Sequence, residues 1–199
     1  MYSLFYRYLQ KIILKNSFYD DILKIIHNEN IKHIVEIGCA DSIILKNLDE
    51  KYFYNGFDVE DNFIQKSKLK FSDNKKYKFE TKSIHEINLD EYNETETIIL
   101  LVGVFHHVND DYIKIFLKKS KRFKVYAIDA VRLKDQKFFT KLLMDFDKGK
   151  YVRFEDQYKR LLAGYDFILA RNKYLNFKYD HLISIKNINI KKIENILQL

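Results

Sequence analysis

Three groups of residues in this 199-residue chain have types and spacings suited to chemistry. The first is Ile34-Val35-Glu36-Ile37-Gly38-Cys39-Ala40-Asp41-Ser42, a β-prone run that passes through a glycine into a polar, helix-starting stretch. The second is Asp58, which closes the next β-prone run 20 residues beyond Gly38. That is the offset at which a carboxylate meets ribose hydroxyls. The third is the pair His106-His107, directly after the most apolar run of the chain, with Asp129 closing the run that follows. Histidine has the ordinary pKa best suited to taking a proton near neutral pH, and a carboxylate beside it can orient it.

The glycine turn narrows the ligand. A dinucleotide fingerprint needs three glycines, partly so that the backbone can approach a pyrophosphate. Only Gly38 is present; Ala40 and Ile43 stand where further glycines belong. A Walker-type Gly-Lys-Ser/Thr loop is also missing. The turn therefore suits a ribose-bearing ligand with no phosphates to cradle, a description that S-adenosylmethionine meets. The competing reading is a tight strand-to-helix turn with no ligand.

The elements that must hold these residues follow from periodicity. Leu4, Phe5, Tyr8, Leu9, Ile12 and Ile13 predict an amphipathic helix over 3–15, and Ser17 predicts the N-cap of a second. Strands are expected at 33–37, 51–58, 77–81, 97–103, 123–129, 165–174 and 179–186, the last two spaced as an antiparallel hairpin. Helices are expected at 41–48, at 61–69 capped by Asp61, at 110–120 capped by Asp110, at 134–146 and at 155–163. Strands alternating with helices imply a mostly parallel sheet covered on both faces. The length implies one domain: N-terminal helices over 1–29, a core over 30–187 and a tail over 188–199.

Composition removes other classes. At 47% hydrophobic residues the chain is not disordered. A single cysteine excludes an internal disulfide and a zinc site made of cysteine pairs, and no metal constellation is visible. The longest apolar run, 98–105, is far short of the ~20 residues that span a bilayer. Arg7, Lys11 and Lys15 interrupt any signal-peptide core, so a cytoplasmic location is expected.

The motifs resemble those of the class I S-adenosylmethionine-dependent methyltransferases, through nearly the whole chain. Val35-Glu36-Ile37-Gly38-Cys39 looks like their first motif, and Tyr54-Asn55-Gly56-Phe57-Asp58-Val59 like the second. Gly103-Val104-Phe105-His106-His107-Val108-Asn109-Asp110 looks like the fourth-strand motif of small-molecule members, and Val125-Tyr126-Ala127-Ile128-Asp129 like the fifth strand. Asp147 to Arg153, Tyr158, Leu161-Leu162 and Tyr179 to Ile183 resemble a bacterial subgroup, some members of which belong to surface-polysaccharide pathways.

The resemblance implies a Rossmann-like three-layer α/β sandwich with a seven-stranded, mostly parallel sheet and an antiparallel last strand. It implies that Glu36 and the turn Gly38, Cys39 and Ala40 lie against the methionine part of the cofactor. Asp58 would accept from the ribose hydroxyls, and Val59 would pack on the adenine. Ser83 and Ile84 would border the adenine edge, although the family usually has Asp where Ser83 stands. Leu101 and Val102 would face the reacting sulfonium. His107 or His106 would be the base for an alcohol acceptor, supported by Asp129, with the choice between the histidines open. Tyr151 and Arg153 would line the acceptor pocket, the arginine suited to a phosphate or carboxylate.

The formal charge is +7, and basic clusters occur at 66–70 and 118–122. Both clusters fall at expected helix C-termini, where cations complement the dipole. They sit at the sheet edge opposite the ligand, so nucleic acid is not the expected partner; a small molecule is. The N-terminal helix is read as a lid over the cleft, with a membrane-surface helix as the alternative. Two rival functions are an RNA or protein methyltransferase and a non-catalytic cofactor-binding partner protein. The oligomeric state is not written in these motifs.

Overall fold

The computed structural model describes residues 17–136, 149–171 and 180–198. The expected helix at 3–15 and nearly all of that at 134–146 lie outside the described residues, as do residues 172–174 of the first closing strand. The described residues form β1 (His33–Ile37), β2 (Phe53–Asp58), β3 (Tyr77–Thr81), β4 (Thr97–Val102), β5 (Lys124–Ala130), β6 (Asp166–Arg171) and β7 (Asp180–Lys186). The helices are α1 (Ser17–Asn28), α2 (Asp61–Lys70), α3 (Asp110–Lys119), α4 (Glu155–Leu161) and α5 (Ile190–Leu197). The strands make one sheet in the order β3-β2-β1-β4-β5-β7-β6. Every pairing is parallel except those of β7, which runs antiparallel to both β5 and β6. This is the expected architecture, with its antiparallel last strand.

Strand alternation divides the core into two layers. Ile34, Tyr54, Ile98, Leu100, Tyr126 and Ile183 pack with Ile22, Ile25 and Ile26 of α1 and with Ile193 and Leu197 of α5. Val35, Ile37, Phe57, Ile99, Leu101 and Val125 pack with Ile113 and Phe116 of α3 and with Tyr158 of α4. β4 is apolar on both faces because both are covered. The strand order reverses between β1 and β4, and ligands bind such sheets in the crevice beyond the carboxyl ends of the strands at that point.

Several expectations need correction. No α-helix follows β1; the segment expected to be helical over 41–48 holds only a 3-10 turn at Ile43–Lys46. Ala40 (φ 44°) and Ser42 (φ 49°) are left-handed and cannot start an α-helix, and the β-branched pair Ile43-Ile44 and Asn47 give it little propensity. Asn109, not Asp110, caps α3: its side chain accepts from the Tyr112 N–H (2.9 Å). Glu60 occupies the N-cap position of α2, and Asp61 is its first helical residue. The 188–199 segment, expected only as a tail, contains α5, capped by the Asn189 side chain accepting from Lys192 N–H (3.3 Å).

Candidate active site

The ends of β1 and β2 are tied together by the Asp58 carboxylate. Its Oδ2 accepts from the Ala40 N–H (2.9 Å) and its Oδ1 from the Glu60 N–H (2.9 Å). Gly38 (φ 73°) and Ala40 give the turn a left-handed backbone, and the N–H groups of Gly38 and Cys39 both donate to Phe57 O (2.7 and 3.0 Å). A left-handed alanine costs about 1 kcal/mol, and the bond to Asp58 offsets it. Cys39 is a buried filler beneath the turn, its thiol pushed up by burial. Glu36 is buried on β1 and accepts a hydrogen bond from the Tyr54 hydroxyl. Burial raises its pKa from an ordinary 4.5 to about 7, against the lowering effect of Tyr54 and with a further push from Asp58. Val59, just past Asp58, is 63% exposed and leaves an apolar face at the mouth.

The ends of β4 and β5 carry the second cluster. Asp129 is buried; its Oδ2 accepts from the Phe105 N–H (2.6 Å), its Oδ1 from the Ala130 N–H (3.0 Å), and Oδ1 also meets His106 Nδ1. A carboxylate against Nδ1 is the arrangement by which proteins fix a histidine's tautomer and ring orientation. His106 is 6% exposed, whereas His107 is exposed and lies against its ring (centroids 4.0 Å apart, 44° between planes). The sequence left the two histidines equal. The structure pairs His106, and not His107, with Asp129.

A strap at 149–154 crosses over this pair. The Tyr151 N–H donates to His106 O (2.9 Å), and a Cβ at Gly149 would run into the His106 ring. The strap is pinned by Arg153, which is 7% exposed. Its guanidinium donates to Phe105 O (2.7 Å), Val108 O (2.8 Å), Tyr151 O (3.0 Å) and Asp110 Oδ1 (2.6 and 3.1 Å). These are groups of the 105–110 loop and of the strap, so Arg153 is turned inward and its guanidinium is held by the protein's own acceptors. Tyr151 is exposed at the rim, with Arg153 5.6 Å behind its ring.

No family model and no curated protein matches the chain, but solved structures do. A protein of Nostoc punctiforme PCC 73102 assigned as an O-methyltransferase gives a TM-score of 0.62 at 15% identity, over 84% of this chain and 55% of that one. A SAM-dependent methyltransferase of Aquifex aeolicus gives 0.59 at 16% identity, over 88% and 91%. The magnesium protoporphyrin IX methyltransferase of Synechocystis PCC 6803, solved with bound SAH, gives 0.62 at 11% identity, over 86% and 83%. The chain has the class I methyltransferase fold. It spans about half the length of the Nostoc protein and of the pyocyanin biosynthetic protein PhzM (55% and 54%). Nothing in these likenesses bears on a surface-polysaccharide pathway.

Within this methyltransferase fold the remaining expected residues are not all at the mouth. Leu101 is fully buried in the core, because strand alternation turns it away from the face that Val102 takes; Val102 is half-buried. Ile84 is buried, while Ser83 is half-buried with its N–H held by Glu86 Oε2 (2.7 Å). Sequence reasoning missed Tyr54 and Gly149. His181 lies opposite Ala130 in the β5–β7 register and feels Asp129 and His106; burial lowers its pKa to about 4, so it is neutral. The available signals were a tyrosine two residues before Gly56 and a glycine two before Tyr151.

Proposed function

We propose that this chain transfers a methyl group from S-adenosylmethionine to an oxygen of a small, sugar-like acceptor, with His106 as general base and Asp129 as its orienting partner. The observation that carries this reading is the His106–Asp129 pair at the ends of β4 and β5, across the switch point from the Gly38 turn. The donor set of the other half fits the cofactor. Asp58 and Glu36 are acceptors suited to hydroxyls and an ammonium group, and Val59 offers an apolar face for adenine. The turn has a single glycine and no phosphate loop.

When bound, S-adenosylmethionine supplies an electrophilic methyl on a positively charged sulfur. The chain's task is to hold the acceptor oxygen in line with the S–CH3 bond, about 3 Å from the methyl. As the O–CH3 bond forms and the S–CH3 bond breaks, His106 Nε2 takes the hydroxyl proton and Asp129 stabilises the resulting imidazolium. Burial beneath the strap keeps bulk water from competing at Nε2. Tyr151, exposed and tied by its N–H to His106 O, gives a flat apolar surface against which a sugar ring can stack. An acceptor of small size is favoured over RNA by the placement of the basic clusters. Lys68 and Lys70 end α2, and Lys118 and Lys119 end α3, at the sheet edge remote from the mouth. Lys119 is also spent on His85 O (2.7 Å) and Ile87 O (3.0 Å).

Calorimetry with S-adenosylhomocysteine (SAH) tests the cofactor assignment. The wild-type chain should bind it, and Asp58→Ala should weaken binding about tenfold or more by removing acceptors for buried hydroxyls. A wild-type chain that binds neither SAH nor S-adenosylmethionine ends this reading.

A further inference from the structure

In the β1–β2 register Glu36 stands opposite Gly56, and Tyr54 precedes Gly56 by two residues on the same face. A Cβ at position 56 would lie 2.9 Å from Tyr54 Cε1 and 3.0 Å from both Phe79 Cδ1 and Cys39 Sγ. The bare backbone at Gly56 is therefore what lets the Tyr54 ring lie along the strand and reach Glu36 Oε2 with its hydroxyl. Phe79 and Tyr77 of β3 hold the ring from its other side (centroids 5.7 and 5.9 Å). Tyr54 is fully buried, so its orientation is fixed by packing. Glu36 Oε1, by contrast, accepts no hydrogen bond from the described residues.

We propose that Tyr54 is a positioning residue for the cofactor's methionine end: from β2 its hydroxyl holds Glu36 turned so that the second carboxylate oxygen receives the ammonium group. The inference rests on the S-adenosylmethionine reading and deepens it. Among the described residues, the groups around Glu36 leave it short of positive charge. Tyr54 and Asp58 face it from β2, Cys39 from the turn and Tyr19 from α1, with Asp41 beyond Tyr19 and the Ser42 hydroxyl near Tyr54. None of these is a cation. Burial and Asp58 both favour the protonated carboxyl, and Tyr54 alone opposes them. An arriving ammonium supplies the counter-charge, and a carboxylate already held by one donor loses less freedom in meeting it.

The test compares SAH with 5′-methylthioadenosine, which keeps adenine, ribose and thioether but lacks the ammonium group. Binding of both is measured by calorimetry to the wild type and to Tyr54→Phe, from about pH 6 to about pH 8.5. Without the hydroxyl, Glu36 holds its proton to higher pH. SAH affinity should therefore fall about tenfold near pH 7, and the deficit should shrink as pH rises. Methylthioadenosine binding should not change. A loss equal for both ligands, or one that ignores pH, assigns Tyr54 a purely structural role and overturns the proposal. A wild type that binds neither ligand defeats the cofactor reading itself. Should Tyr54→Phe not fold, Glu36→Gln carries the test: it must abolish the pH dependence of SAH affinity, and persistence of that dependence overturns the proposal.

Discussion

Around the Gly38 turn, the bonds that fix the site join neighbouring strands only 18 residues apart: Ala40 to Asp58, and Glu36 to Tyr54. Around His106 the corresponding separations are 23 and 24 residues to Asp129 and 43 to 48 residues to Arg153. The first region needs β1, β2 and their turn to pair, with β3 packed against the Tyr54 ring. The second needs β4, β5 and a strap from a distant part of the chain to dock over one loop. On the proposed reading, the cofactor half is thus the more local of the two, centred on a parallel strand pair, and the acceptor half is a tertiary one. Loop closure over longer separations costs more entropy, so the second half depends on a few strong, charge-assisted bonds to hold it.

If the halves are separate in this way, each can be broken without the other. The largest effect is expected from His106→Gln. On the proposed mechanism it removes the base while leaving the Gly38 turn and Asp58 untouched, so turnover should fall by about 100-fold or more. SAH affinity should stay at the wild-type value. S-adenosylmethionine consumption with an accepted substrate measures the first, and calorimetry the second. Equal loss of binding and turnover would mean that the two halves are one unit.

The next effect comes from the strap. Arg153→Met preserves much of the side chain's volume but leaves Phe105 O, Val108 O and the Asp110 carboxylate without their donors. Bonds to a charged group are worth about 1.5–3 kcal/mol each when a partner is removed, though water reaches Asp110 and lowers its share. We expect a loss of about 3 kcal/mol in urea-unfolding stability and a freed 105–110 loop. The stability of the β1–β2 region, read by hydrogen exchange at Ala40 and Glu60, should change only as the global value does. Selective exposure of Ala40 would contradict the division.

The same division explains what the sequence made legible. The fold, the Gly38 turn and Asp58 were all readable, because strand alternation, a single glycine and a 20-residue offset are local signals. The helix after β1 was not, because left-handed Ala40 and Ser42 are set by the turn's hydrogen bonds rather than by residue type. The inward turn of Arg153 was equally hidden. A surface arginine and a buried clamp look alike in a sequence, and only docking of the strap distinguishes them. Tyr54 read only as a member of the second motif, and its contact with Glu36 became visible when the parallel register set Gly56 opposite Glu36.

The smallest effect sharpens the comparison from the cofactor side, in the absence of any ligand. Glu36 has a folded-state pKa raised from 4.5 to about 7, so folding favours its protonated form. Its favourable contribution is fully present below the unfolded value of about 4.3 and is lost as pH climbs through about 7. Above that range the ligand-free chain carries a buried carboxylate at a cost. The full shift sets a ceiling of about 3 kcal/mol, and local relaxation with water entry brings the expected figure to about 1 kcal/mol. Glu36→Gln should therefore raise the thermal midpoint of the ligand-free chain at about pH 8 and change it little at about pH 5. Scanning calorimetry at the two pH values checks this. A gain at both would point to packing instead of charge, whereas a gain confined to the higher pH shows the cofactor half strained by an acid awaiting its counter-ion. His181 of the acceptor half, neutral throughout the neutral to alkaline range, adds no such dependence.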